Sequence, residues 1–247
     1  EHHQEAREIA ASCAVLLKNE RKALPLESGD GVLFVGPFAV NPRYQGGGSS
    51  HINSHLVSGA VDACPDSVQY LPGIQDNCEK RSPKRLREAV AAAAKAKAVV
   101  VFVGLTEAME SEGYDRTGLG LPDCQNELVE RISAVQRRTI VVLSSGSPVT
   151  MPWKDKVSAI LDMYLGGEAV GEATVDLLFG LANPCGKLAE TFPLRLEDTP
   201  SFLSFPGGKR NVFYQEGVFV GYRWYDTRKM DVLFPFGHGL SYTAFTY

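Results

Sequence analysis

The chain lacks most of the signals that mark a specialised protein class. No apolar run approaches the ~18 residues that a membrane-spanning helix needs, so no membrane partner is expected. No basic stripe is present: 25 Lys and Arg stand interspersed with 29 Asp and Glu, for a net charge of -4. Without such a stripe to neutralise phosphates, a nucleic-acid partner is not expected. Cysteine is scarce and odd in number, with Cys13, Cys64, Cys78, Cys124 and Cys185 and no C-x-x-C pair. In a chain of 247 residues these read as reduced, partly buried thiols, with a Cys64–Cys78 loop closure as the alternative. A reducing, cytoplasmic location is the matching expectation. There is no H-E-x-x-H, no G-x-S-x-G, no G-x-x-x-x-G-K-[ST] and no G-x-G-x-x-G at a strand-to-helix turn, so neither metal nor cofactor is expected. No signal peptide opens the chain; it begins at Glu1 inside a helical pattern, which reads as a segment of something longer.

What the chain does have is ordinary globular material, 44% hydrophobic and 22% charged, enough for a sizeable core. Residues 5–18 space their apolar side chains as an amphipathic helix, and residues 53–63 allow a second one. Helices are expected over 83–97, 123–136 and 168–179. Between them lie strands at 31–35, 68–71, 98–104, 139–143 and 159–164. The strand Ala98-Val99-Val100-Val101-Phe102-Val103-Gly104 shows no polar alternation, which marks burial on both faces, as in parallel sheets. Alternation of such strands with helices predicts an α/β three-layer sandwich. Its mostly parallel sheet of about six strands would be covered by helices on both faces. After Asn183 proline and aromatic residues take over, as in Phe192-Pro193 and Phe205-Pro206, and read as extended segments packed over the sandwich. No repeat or linker interrupts the chain, so residues 1–247 are read as one domain.

Ligands of open parallel sheets sit beyond the carboxyl ends of the strands. Two loops there carry chemistry. Residues 106–116 hold Glu107, Glu110, Glu112, Asp115 and Arg116. They form either a site with one general acid/base carboxyl group or a solvated acidic loop with a structural Asp115–Arg116 contact. Residues 45–50 (Gln45-Gly46-Gly47-Gly48-Ser49-Ser50) suit a flexible loop whose backbone approaches a ligand better than a phosphate cradle. Ser144-Ser145-Gly146-Ser147 reads as a structural turn, His51 and His55 lack further zinc ligands, and His238 reads as a hydrogen-bonded structural histidine.

Further segments stand out along the chain: Val15 to Asn19 with Leu24-Pro25-Leu26, the 45–50 loop, Glu110-Ser111-Glu112-Gly113-Tyr114-Asp115-Arg116, and Met151-Pro152-Trp153. Gly166-Gly167-Glu168, Asn183 to Leu188, Glu216 to Arg223 and Phe234 to Tyr242 complete the set. Together, and in family order over nearly the whole chain, they resemble the second domain of glycoside hydrolase family 3, closest to its bacterial β-glucosidases. The resemblance implies an α/β sandwich paired with a TIM-type barrel that is absent here and that bears an aspartate nucleophile. It implies a β-glucoside or oligosaccharide substrate. The sandwich would supply the acid/base, which falls on Glu112 with Glu110 as rival. Gly47, Gly48, Ser49 and Ser50 would approach the aglycone side. Gly113 would let the backbone turn, and Asp115 and Arg116 would anchor the loop by pairing.

A retaining glycosidase sets two carboxyl groups ~5–5.5 Å apart across the bond it breaks. The acid/base needs a pKa raised toward ~6–7, by burial or by the facing nucleophile. Its competitor is a non-catalytic module that binds sugars or docks a partner through Trp153, Trp224 and Tyr225.

Overall fold

The computed structural model describes residues 1–75, 78, 82–208 and 210–246. Six strands form one sheet: β1 (Val15–Asn19), β2 (Val32–Val35), β3 (Gln69–Leu71), β4 (Ala98–Gly104), β5 (Thr139–Ser144) and β6 (Ala159–Asp162). Their order is β1-β6-β5-β4-β2-β3. All neighbours are parallel except β1, which pairs antiparallel with β6. The five parallel strands lie, to within two residues at either end, in the segments 31–35, 68–71, 98–104, 139–143 and 159–164 expected from the sequence.

Alternate residues of each strand feed two separate cores. In β4, Val99, Val101 and Val103 face one, while Ala98, Val100 and Phe102 face the other. The first core is closed by α3 (Pro83–Ala93), through Ala89 and Ala93, and α4 (Asp123–Ser133), through Leu128, Val129 and Ile132. The second is closed by α1 (His2–Cys13), α2 (Ala60–Ala63) and α5 (Val170–Leu178). The expected three layers are therefore present. The chain moves outward from β2 to β3, then crosses back to β4 and continues the other way. Right-handed crossovers in opposite directions put their helices on opposite faces.

Sequence periodicity misplaced several elements. The helix expected over 5–18 ends at Cys13, Ala14 is extended, and Val15–Asn19 is the edge strand β1. Val15 and Leu17 enter one core and Leu16 the other, so three consecutive apolar residues are all buried. A helix would have left one of them outside. Of the helix allowed over 53–63 only Ala60–Ala63 forms. The last segment, expected to be extended, contains a further helix, α6 (Tyr222–Arg228). Its extended parts are docked by Phe192 against Phe234 and by Leu240 against Leu16.

The cysteines also depart from expectation. Cys78 and Cys124 form a disulfide, their Cα atoms 6.1 Å apart although 46 residues separate them in the chain. Cys13, Cys64 and Cys185 are free, and Cys13 and Cys185 are exposed.

At the start of α1, His3 bonds Glu168 at 3.2 Å and Glu172 at 3.0 Å, next to α5. Glu172 and then Glu168 raise the His3 pKa above its usual ~6.5. A raised folded-state pKa makes the contact stabilising below the unfolded value, and that stability is lost as pH rises through the folded value. The urea midpoint should therefore fall from pH 6 to pH 8, and His3→Ala should flatten that part of the profile. An unchanged slope in the variant would assign the pH dependence to other groups.

Candidate active site

The strand order reverses between β2 and β4, and ligands of open α/β sheets bind outside the carboxyl ends of the strands at such a switch point. The segments leaving β2, β4 and β5 meet there. Gly47 of the first loop and Ser111 of the second form a parallel bridge. The Gly47 N–H donates to the Glu110 carbonyl, and the Glu112 N–H donates back to the Gly47 carbonyl, both at 3.4 Å. Buried Arg43 adds a bond from Nη2 to the Glu110 carbonyl at 3.0 Å. Gln45 closes the glycine loop on itself: it donates to the Ile52 carbonyl and accepts from the Ile52 N–H, each at 2.9 Å.

This pairing puts the glycine loop against Glu112. The Ser49 N–H donates to Glu112 Oε2 at 2.8 Å, and the Ser49 hydroxyl donates to the same oxygen. Gly48 has φ of +97°, and a Cβ there would stand 2.4 Å from the Glu112 Cβ, so only glycine fits. Ser50 is exposed and Gly113 takes φ of +82°. Glu112 itself is exposed. The Ser49 side-chain bond, then its backbone bond, hold the Glu112 pKa below the usual carboxylate value. This is opposite to the raised value expected of an acid/base, because among the described residues nothing covers the carboxylate or sets a second one against it.

Glu110 has a different environment. Its Oε2 accepts from the Gly146 N–H at 2.9 Å and its Oε1 from the Ser147 hydroxyl at 2.7 Å. Both oxygens are thus committed to the turn after β5. Arg116 donates from Nη1 to Ser147 Oγ at 2.8 Å and to the Pro148 carbonyl at 3.1 Å. Asp115 is exposed and makes no ion pair with Arg116 among the described residues. The expected Asp115–Arg116 pair is therefore replaced by an anchor on a third strand's turn. Sequence spacing suggests neighbours, whereas the sheet brings Ser147 and Pro148 to the guanidinium.

A layer of buried acids lies beneath, and sequence inspection did not single it out. Asp162 ends β6, is fully buried, and accepts the Tyr164 N–H at 2.9 Å. Burial raises its pKa well above the usual range. The Tyr164 hydroxyl donates to Glu190 at 3.2 Å, and burial raises the Glu190 pKa too. An aspartate ending an otherwise apolar strand was the available signal. Beside Arg116 opens a cavity of about 310 Å³, lined by Met109, Asp115, Thr117 and glycines 118 and 120 among others.

The remaining candidates are structural. His238 bonds the Leu17 carbonyl at 2.8 Å. Trp153 is fully buried with its N–H on Asn126, Tyr225 is buried, and Trp224 bonds the Asp198 carbonyl. These aromatics do not offer the open sugar-stacking face that a binding module would use.

The anchoring can be checked directly. Arg116→Ala should speed hydrogen exchange of the 107–120 amides by at least ~10-fold, the loss of two hydrogen bonds of ~1 kcal/mol each giving that order. Asp115→Ala should leave it unchanged. Equal effects of the two variants would restore the pair expected from the sequence.

Comparison with known proteins agrees with this architecture. Residues 14–242 match the glycosyl hydrolase family 3 C-terminal domain. The thermostable β-glucosidase B of Acetivibrio thermocellus is 48% identical over 252 residues, which cover 100% of this chain and 33% of that protein. An exo-α-(1→6)-L-arabinopyranosidase of Bifidobacterium longum is 41% identical, over 99% of this chain and 34% of that one. The crystal structure of a Bifidobacterium adolescentis family 3 β-glucosidase superposes with a TM-score of 0.93 at 41% identity, covering 98% of this chain and 36% of that chain. The chain spans about a third of the length of the curated relatives it matches. By the family match over residues 14–242, and by the sheet that bears it out, this chain belongs to glycosyl hydrolase family 3 as its C-terminal domain.

Proposed function

We propose that this domain supplies Glu112 as the general acid/base, and the Gly47–Ser50 loop as the leaving-group side, of a retaining β-glycosidase acting on terminal β-D-glucosyl residues. One observation carries the choice of Glu112. Both oxygens of Glu110 are occupied by the chain's own donors, whereas Glu112 stands exposed at the rim. A proton donor must reach the glycosidic oxygen, and a carboxylate locked under the loop cannot.

The second carboxyl group comes from the part of the protein that the relatives have and this chain does not span, read here as a TIM-type barrel with an aspartate nucleophile. Docking of that domain buries Glu112 and brings a like charge near it. Both effects raise a carboxyl pKa, which reverses the lowering seen in this domain alone. A docking face is available in the last segment. Leu203 is 85%, Tyr214 81% and Val218 77% exposed. The relatives support a leaving-group role. A domain kept at 48% and 41% identity in proteins named for two different sugars fits a part that does not choose the sugar.

The isolated chain should not hydrolyse aryl β-glucosides, since one carboxyl group is missing. A chimera in which it replaces the matching third of the Acetivibrio thermocellus β-glucosidase should do so. There, Glu112→Ala should lower kcat/KM for cellobiose by ~10²–10⁴-fold and for dinitrophenyl glucoside, which needs little protonation, far less. Equal losses on both substrates would move the acid/base elsewhere.

A further inference from the structure

The turn after β5 makes no recorded hydrogen bond to Glu112, yet both ends of the acidic loop are fastened to it. Glu110 reaches Gly146 and Ser147, and Arg116 reaches Ser147 and Pro148. Ser147 alone is shared. Its hydroxyl donates to Glu110 Oε1 at 2.7 Å and accepts from Arg116 Nη1 at 2.8 Å. A hydroxyl has one proton and spare lone pairs, so serving an anion and a cation together fixes its rotor. Glu112 and Gly113 are held between these two attachments.

We infer that Ser147 is the positioning residue of the acid/base, acting through Glu110 and Arg116, an inference that rests on the role proposed for Glu112. Four observations point the same way. Glu110 is mostly buried, with 17% of its side chain accessible, and its carboxylate lies 3.9 Å from Arg43 Nη2. It therefore makes a fixed pier. Arg116 Nε and Nη2 are buried and make no hydrogen bond among the described residues, so its recorded hydrogen bonds all run through Nη1 to Ser147 and Pro148. The turn continues directly from β5, whose six residues are all buried, so the pivot sits on the rigid sheet. Finally, Gly113 at φ of +82° has nothing within 4 Å of a Cβ position, so local packing does not hold the tip. The attachments at residues 110 and 116 must do so, together with the Gly47–Ser49 contacts. Closing a seven-residue segment at both ends on one support removes most of the freedom that would let the carboxyl group miss the leaving oxygen.

The test uses the active chimera and compares kcat/KM for cellobiose and dinitrophenyl glucoside. Ser147→Ala should lower the cellobiose value by ~10–100-fold, the loss expected of a misplaced catalytic group, and the dinitrophenyl value much less. Ser147→Thr, which keeps the hydroxyl, should restore most of it. Glu110→Gln keeps the volume but loses one acceptor, and should show the same substrate selectivity if Ser147→Ala does not fold. A loss equal on both substrates in Ser147→Ala, or in Glu110→Gln where the serine variant does not fold, would mean a structural role and would overturn the inference. Glu112→Ala separates the two levels. If it is selective for cellobiose and the Ser147 and Glu110 variants are not, the inference falls and the role of Glu112 stands. If Glu112→Ala itself is unselective, the role of Glu112 falls and the inference falls with it.

Discussion

The backbone pairing of Gly47 with the Glu110–Glu112 stretch is the joint on which the candidate site depends. It joins two loops that leave neighbouring strands at the one place where the strand order reverses. It holds two carboxylates of one short segment, each with partners of its own. Glu110 bonds the turn after β5, and Glu112 bonds Ser49. Two carboxyl groups two residues apart therefore meet different surroundings, one mostly buried among donors, the other at the surface. Gly48 guards the register of this pairing, because no side chain fits beside Glu112.

Electrostatics beneath the loop follows from the same arrangement. Asp162 at the end of β6 is buried and Glu190 beside Tyr164 is half-buried, and burial favours their neutral forms. Arg116 is half-buried on Ser147 and Pro148, with no carboxylate bonded to it among the described residues. The consequence for function is a loop whose base is stiff and whose tip is exposed. This suits a group that is finished by a surface arriving from outside. The lowered pKa of Glu112 in this domain belongs to the same picture. Acid/base behaviour near neutral pH becomes a property of the assembled site and not of the residue.

By itself the sequence determined the class of fold and the address of the chemistry. Strands such as Ala98–Gly104 are legible because burial on both faces needs an unbroken apolar run, and no other element does at that length. The family motifs marked the 45–50 and 106–116 loops, because glycines and clustered carboxylates are seldom placed at strand ends for packing alone. What only the tertiary structure decided are the pairings between distant residues. Val15–Asn19 became a strand because β6, far along the chain, offered an open edge, while its local pattern equally fits a helix. Cys78 found Cys124 across 46 residues. Arg116 took Ser147, 31 residues on, instead of adjacent Asp115, and Glu112 took Ser49, 63 residues back. Periodicity records which face of an element is buried. It carries no record of which residue of another element will stand opposite, and that opposition is what divides the work between Glu110 and Glu112.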